Sequence, residues 1–196
     1  MTFNNFEQMK KILLLLVTCL SMNAFAQEDI ATVKKVIFYG VDFSHANLYG
    51  FEENPTAIRS GLEKINDLFI RERKKYDISK YFKKEVLDYC LESTDKNNAQ
   101  LPVDKMLSNN KYIELSDNQL QKTISGFSCN NNECGLVLVA ENLNKQDEKA
   151  TYLVVFFDGK TKKIIYSKRA TGKAIGFGIR NHWASSIYKM MKGWKY

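Results

Sequence analysis

Apolar and polar positions recur with different periods along this chain, and the changes of period divide it into elements. Residues 33–43 (VKKVIFYGVDF) are β-branched and aromatic with few polar breaks, which predicts a strand covered on both faces. Asn54-Pro55 then opens a helix, with Asn as the cap and Pro at the first helical position. Ile58, Leu62, Ile65 and Phe69 follow as one apolar stripe. The spacing of Phe82, Val86 and Cys90 predicts a second helix from about Ser79, ending in a polar loop over 93–98. Residues 99–115 show no readable period, and Ser116 with Gln119 forms a capping-box pattern ahead of Leu120, Ile124 and Phe127.

Beyond Gly126 the period shortens. Segments 135–144, 150–159 and 162–172 read as three strands joined by short connections, so an antiparallel meander is expected. Ile179, Trp183, Ile187, Met190 or Met191, and Trp194 place a last helix on this sheet, with Trp183 as its main buried anchor. The expected order is β-α-α-α-β-β-β-α. That order predicts an α+β domain, with one sheet of about four mainly antiparallel strands and helices packed on it.

The start of the chain changes the picture of where this domain works. Lys10 and Lys11 precede a short apolar run, and Ala24-Phe25-Ala26 offers small residues for signal peptidase. A cleaved signal peptide over 1–26 and a single domain over 27–196 are expected. Thr18 ahead of Cys19 argues against lipidation, and the apolar run is shorter than a membrane span, which takes about 20 residues. The implied location is the periplasm or the cell exterior, including the outer-membrane surface.

After cleavage 27 basic and 21 acidic residues remain, a net +6 that favours acidic partners. The lysines are scattered along the sequence rather than clustered, as on a solubilised surface. Cys129 and Cys134 flank a polar tight loop whose ends can meet in a disulfide. Cys90 falls on the apolar face of the second predicted helix, as a buried thiol.

The segments YGVDFS (39–44), KYD (75–77), AENLNK (140–145), FFDGKT (156–161) and GFGIRNHWASSIY (176–188) together resemble a family of exported proteins of Gram-negative Bacteroidetes. The resemblance spans most of the chain after the leader, and GFGIRNHW is its most specific piece. It implies export and a shared fold. It brings no activity and no catalytic residue.

Two constellations could carry chemistry. Asp42, Ser44 and His45 sit where the first strand ends, and His182 could serve Ser44 if the last helix starts beside them. Ser44 and His45 are adjacent on an extended chain and point apart, so they do not pair with each other. Arg180, Asn181 and His182 open the last helix behind Gly176 and Gly178, a place where an anion could bind. There is no P-loop ending, no cofactor is implied, and no metal-ligand spacing occurs. Tyr76, Tyr81, Tyr89, Tyr112, Trp194 and Tyr196 stand among lysines, which suits a glycan-binding or protein-binding surface or the rim of a core. Nucleic acid fits poorly, because Arg71–Lys75 is the only basic run.

The function expected from this set is a non-catalytic exported envelope protein, a small binding or assembly module. Its partner would be an acidic glycan, a lipid headgroup or a protein. The alternative is a hydrolase-like enzyme using Ser44 or His45 with His182 and Asp42.

Overall fold

The computed structural model describes residues 30–196. The leader expected over 1–26, with Cys19 inside it, lies outside the described residues. The strands are β1 (Lys35–Asp42), β2 (Asn47–Tyr49), β3 (Glu85–Tyr89), β4 (Leu107–Ser108), β5 (Gly135–Asn144), β6 (Lys149–Phe157) and β7 (Ile164–Lys173). The helices are α1 (Pro55–Glu63), α2 (Asp67–Arg71), α3 (Ile78–Phe82), α4 (Glu92–Ala99), α5 (Val103–Met106), α6 (Asp117–Ser125) and α7 (Ile179–Gly193).

All seven strands form one sheet, and the five in the order β3-β1-β5-β2-β4 are parallel. The fold is therefore α/β and corrects the four-stranded, mainly antiparallel α+β expectation. The hairpins β5–β6 and β6–β7 pair antiparallel. They are joined to a parallel half that the sequence period did not show. β6 runs along one edge of β5, while β1 and β2 lie end to end along the other.

Alternate residues of the central strands feed two cores. Phe38, Leu136, Leu138, Val154 and Phe156 face α1, α2, α3 and α7, whereas Ile37, Tyr39, Val137, Val139, Leu153 and Val155 face α6. The capping box of α6 forms, with Ser116 and Gln119 satisfying each other's backbone N–H groups. The alternation slips by one residue at Gly40, whose φ of +83° marks a bulge in the pairing with β5. Val41 and Phe43 consequently enter the larger core.

The outer edge of β1 explains where the expected helices fail. β3 pairs with this edge only as far as Phe38. The second predicted helix ends at Phe82, Lys83 turns with φ +52°, and residues 85–89 become β3. The apolar positions Phe82 and Val86 fit a helical period equally well, but β1 offers peptide groups that need partners, and Val86 aligns with Val36.

Beyond Phe38 polar side chains complete the edge. Thr94 Oγ1 donates to the Tyr39 carbonyl at 2.6 Å. Asn66 Oδ1 accepts from the Val41 N–H at 2.8 Å. Asn98 donates to the Val41 carbonyl and accepts from the Phe43 N–H, at 2.8 and 2.9 Å. Residues 93–98, expected as a solvated loop, are thus most of α4, with Thr94 and Asn98 fully buried.

One segment without a readable period finds its place, and the disulfide departs from its sequence reading. Residues 109–115 run across the α6 side of the sheet, fixed by Asn142 to the Ile113 backbone (2.8 and 3.0 Å) and by Glu141 to the Leu115 N–H (2.8 Å). The disulfide is Cys90–Cys129, with a Cα–Cα distance of 6.1 Å, and corrects both the Cys129–Cys134 pairing and the reading of Cys90 as a buried thiol. Cys134 opens onto β5, and its carbonyl accepts from the Ile37 N–H. Ser128 is held by Ser93, which puts Cys129 beside the end of β3.

α7 closes the larger core with the expected stripe, burying Trp183, Ile187, Met190 and Met191. Its axis can approach β7 because residue 172 is Gly: a Cβ there would lie 1.8 Å from the Ser186 carbonyl oxygen. Ser186 donates to the Trp183 carbonyl, so the Tyr152 hydroxyl donates to Ser186 at 2.7 Å, and burial pushes the Tyr152 phenol above its ordinary range.

Asn98→Ala strands the buried Phe43 N–H and should lower stability by about 1–3 kcal/mol in urea unfolding; an unchanged midpoint would remove the edge role given to α4. Peptide mapping of oxidised protein should yield a Cys90–Cys129 peptide. That bridge closes a separation of 39 residues, so its reduction should cost about 4 kcal/mol on the chain-entropy model. Recovery of a Cys129–Cys134 peptide instead would contradict the placement of β3.

Candidate functional site

The end of β1 is occupied by structural hydrogen bonds. Asp42 is fully buried, and its Oδ1 accepts from the Ser44 N–H at 2.8 Å and from the Ser44 hydroxyl. Its Oδ2 accepts from Asn97 at 2.7 Å. His45 is exposed, and among the described residues no hydrogen bond joins Ser44 to His45 or His182. A Ser-His-Asp relay needs the histidine between the other two. Here the carboxylate holds the hydroxyl directly and closes a turn.

The start of α7 is built differently. Gly176 and Gly178 have φ of +103° and +75°, conformations that side chains other than Gly rarely adopt. The His182 ring donates from Nδ1 to the Gly176 carbonyl at 3.2 Å and stands edge-on to Trp183, which stacks on Phe51. Its Nε2 is buried with no partner among the described residues. His182 therefore braces the loop from inside. Arg180 and Asn181 are exposed, and the guanidinium donates to Asn181 Oδ1 at 3.0 and 3.1 Å.

These two residues, with Phe177, Glu53, Ser60 and Lys64, line an open groove of about 560 Å³ between α7 and α1. Gly61 permits that approach, since a Cβ on it would meet Ile179 at 2.6 Å. The fold thus brings Arg180 and Asn181 into one concave surface, turns His182 inward, and leaves Asp42, Ser44 and His45 outside it.

A second surface joins segments that the sequence marked as aromatic residues among lysines, without showing that they meet. Residues 71–83 carry six basic and two acidic side chains, and residues 188–196 carry three basic and no acidic ones. The fold packs these segments together: Tyr76 and Tyr81 stand edge-on to Tyr188 at 6.2 and 6.1 Å, and Phe82 packs on Trp194 at 5.4 Å. Tyr196 donates its hydroxyl to the Phe82 carbonyl. Lys75 and Lys192 lie over the Tyr188 ring at 5.9 and 5.6 Å, and Lys80 lies over Tyr81 at 5.6 Å. All nine basic residues of the two segments are exposed.

Residues 30–196 together hold 27 basic and 19 acidic side chains, a net +8. This ridge carries +7 of that charge. Burial lowers the Lys75 ammonium, but the Tyr76 phenol and the Glu72 carboxylate outweigh it and hold Lys75 above its ordinary range. Burial raises Tyr76, while the charges of Lys75 and Arg180 pull it back.

The other buried charges are committed to the fold, Lys84 donating to the Ile30 and Val33 carbonyls at 2.6 Å. Glu141, 1% exposed, accepts from Arg169 on both oxygens, from Tyr112 at 3.0 Å and from the Leu115 N–H. Among the described residues no group of three or more His, Cys, Asp or Glu side chains comes together as a metal site. No helix among them is long and apolar enough to cross a membrane. No family model matches the chain, and no curated protein or solved structure matches it either.

Trp183→Ala should cost about 3–5 kcal/mol through lost burial and the cavity left behind, whereas exposed Asn181→Ala should shift stability by no more than about 0.5 kcal/mol. Thermal melts of both check this. A wild-type midpoint for Trp183→Ala would make GFGIRNHW a ligand platform rather than a structural brace.

Proposed function

We propose that this chain is a non-catalytic exported binding module that docks on a polyanion of the bacterial envelope through the ridge of α2, α3 and α7. The observation that carries the reading is the segregation of charge: +7 of a net +8 lies on two packed segments, around three clustered tyrosines. Lysines held over aromatic faces place ammonium groups beside the partly exposed rings of Tyr81 and Tyr188, a combination that suits phosphate- or carboxylate-bearing chains and headgroups. Export through a leader cleaved after Ala26, and kinship with the exported Bacteroidetes proteins that the chain resembles, belong to the same proposal. With no Ser44–histidine pair among the described residues, the hydrolase alternative loses its support.

The test is binding to heparin as a soluble polyanion probe, titrated at several salt concentrations. Wild type should bind, with affinity falling as salt rises. The triple variant Lys75→Glu, Lys80→Glu, Lys192→Glu should lose at least about tenfold in affinity, each exposed charge being worth a fraction of a kcal/mol to about 1. Its melting temperature should hold, because all three side chains are exposed. Salt-independent binding, or a triple variant equal to wild type, would overturn the reading.

A further inference from the structure

We infer that the loop between β7 and α7 is a membrane wedge: Ile175 and Phe177 enter the headgroup–acyl boundary of an anionic bilayer while Arg180 and the adjoining ridge hold its headgroups. This rests on the polyanion reading above and names the polyanion as a lipid surface. Phe177 is 96% exposed, whereas every other described phenylalanine is buried or partly buried. Ile175, two residues before it, is 46% exposed. A ring placed fully in water contributes nothing to folding, so the fold does not account for it.

The loop is nonetheless built to hold the ring out. Gly176 and Gly178 flank Phe177 with positive φ, and a Cβ on Gly178 would meet no described atom within 4 Å. Backbone direction, not crowding, is what demands glycine there. The loop is pinned ahead of the tip, and behind it the Gly178 carbonyl accepts from the His182 N–H at 3.0 Å. Ala174 N–H donates to the Glu148 carbonyl at 2.7 Å, Ile175 N–H to Ser185 Oγ at 2.6 Å, and His182 holds the Gly176 carbonyl. The tip is therefore pre-ordered, which lowers the entropy lost when it docks.

The surroundings favour an anionic surface. The apolar tip stands at the mouth of the groove, with Arg180 and Lys64 in the groove lining and Lys173 ahead of the loop. Of the acids near the loop, Glu53 pairs with Lys145 and Glu148 with Lys173. From Gly159 to Tyr196 the chain has no acidic residue at all. Asn181, Tyr188 and Lys192, seven and four residues apart, fall on one side of α7, and the loop carrying Phe177 leads directly into that helix. An apolar tip ringed by cations is the arrangement by which a peripheral protein seats on anionic lipid.

The experiment is co-sedimentation with phosphatidylglycerol–phosphatidylcholine vesicles at low and high salt, beside the heparin titration. Phe177→Ala should keep heparin affinity and melting temperature and lose about tenfold or more in vesicle partition, the effect of withdrawing one aromatic ring from an apolar phase. Phe177→Trp should bind vesicles, and the emission of the introduced indole should shift to the blue. Vesicle partition of Phe177→Ala equal to wild type would overturn the wedge, as would an introduced indole whose emission stays unshifted on bound protein. Wild type that binds heparin but not vesicles overturns the wedge and leaves the polyanion reading standing. Wild type that binds neither overturns both.

Discussion

Beyond Phe38 the outer edge of β1 has no strand among the described residues to pair with, yet it lies in the dry interior of the molecule, where each unpaired peptide group costs about 1–3 kcal/mol. Thr94, Asn66 and Asn98 meet that demand in place of a neighbouring strand. Much of the architecture follows. α1 stops at Glu63 and the chain turns so that Asn66 faces the edge. Gly40 is required because a Cβ on it would sit 2.8 Å from the Asn66 oxygen. α4 carries buried polar side chains where an amphipathic helix would carry leucines. Asp42, at the end of the same edge, is drawn into tying down Ser44 and Asn97. The residues that most resemble a catalytic group are thus the last link of a backbone-satisfying network.

The bulge at Gly40 and the two-faced sheet distribute the rest. With α6 on one face and α1, α2, α3 and α7 on the other, the sheet is covered on both sides, and each helix has one face left for solvent. α7 is seated by three fitted contacts: Gly172 under Ser186, Tyr152 to Ser186, and Trp183 against Phe51. A helix fixed so closely from below presents its outer side chains at defined positions. Tyr188 and Lys192 acquire fixed neighbours on α3 from that rigidity.

Local chemistry was legible in the sequence; long-range pairing was not. Asn54-Pro55, the Ser116–Gln119 box, the hairpin strands over 135–173 and the α7 stripe each follow from contacts within a few residues. β3 was missed because Phe82, Val86 and Cys90 satisfy a helical period, and only the open edge of β1 decides otherwise. With β3 misplaced, Cys90 could not be matched to Cys129, and the parallel half of the sheet vanished into an antiparallel reading. Of the candidate site, Arg180 and Asn181 were found as surface groups, while the ridge was hidden because its two basic segments are more than a hundred residues apart. One signal was present: residues 151–196 hold ten basic side chains and a single acidic one, Asp158.

Gathering like charge on one face costs stability, so its persistence calls for a physical account. Exposed cations more than about 8 Å apart are screened from one another at physiological salt, and Lys75, Lys80 and Lys192 sit over tyrosine rings whose negative faces offset repulsion. The tyrosines thereby help lysines crowd, with Lys75 also paired to Glu72 at 3.4 Å. The remainder of the described chain sums to a net +1, with residues 151–187 at +6 and the other residues at −5, so positive charge is concentrated in the ridge and in 151–187 and the molecule is polarised. A polarised particle is oriented by a negative surface before contact. Arg180 adds its charge at the foot of the loop that holds Phe177, so orientation by the ridge would bring the apolar tip down in register. Charge sets the approach and the ring makes the contact, and one helix supplies the geometry that joins them.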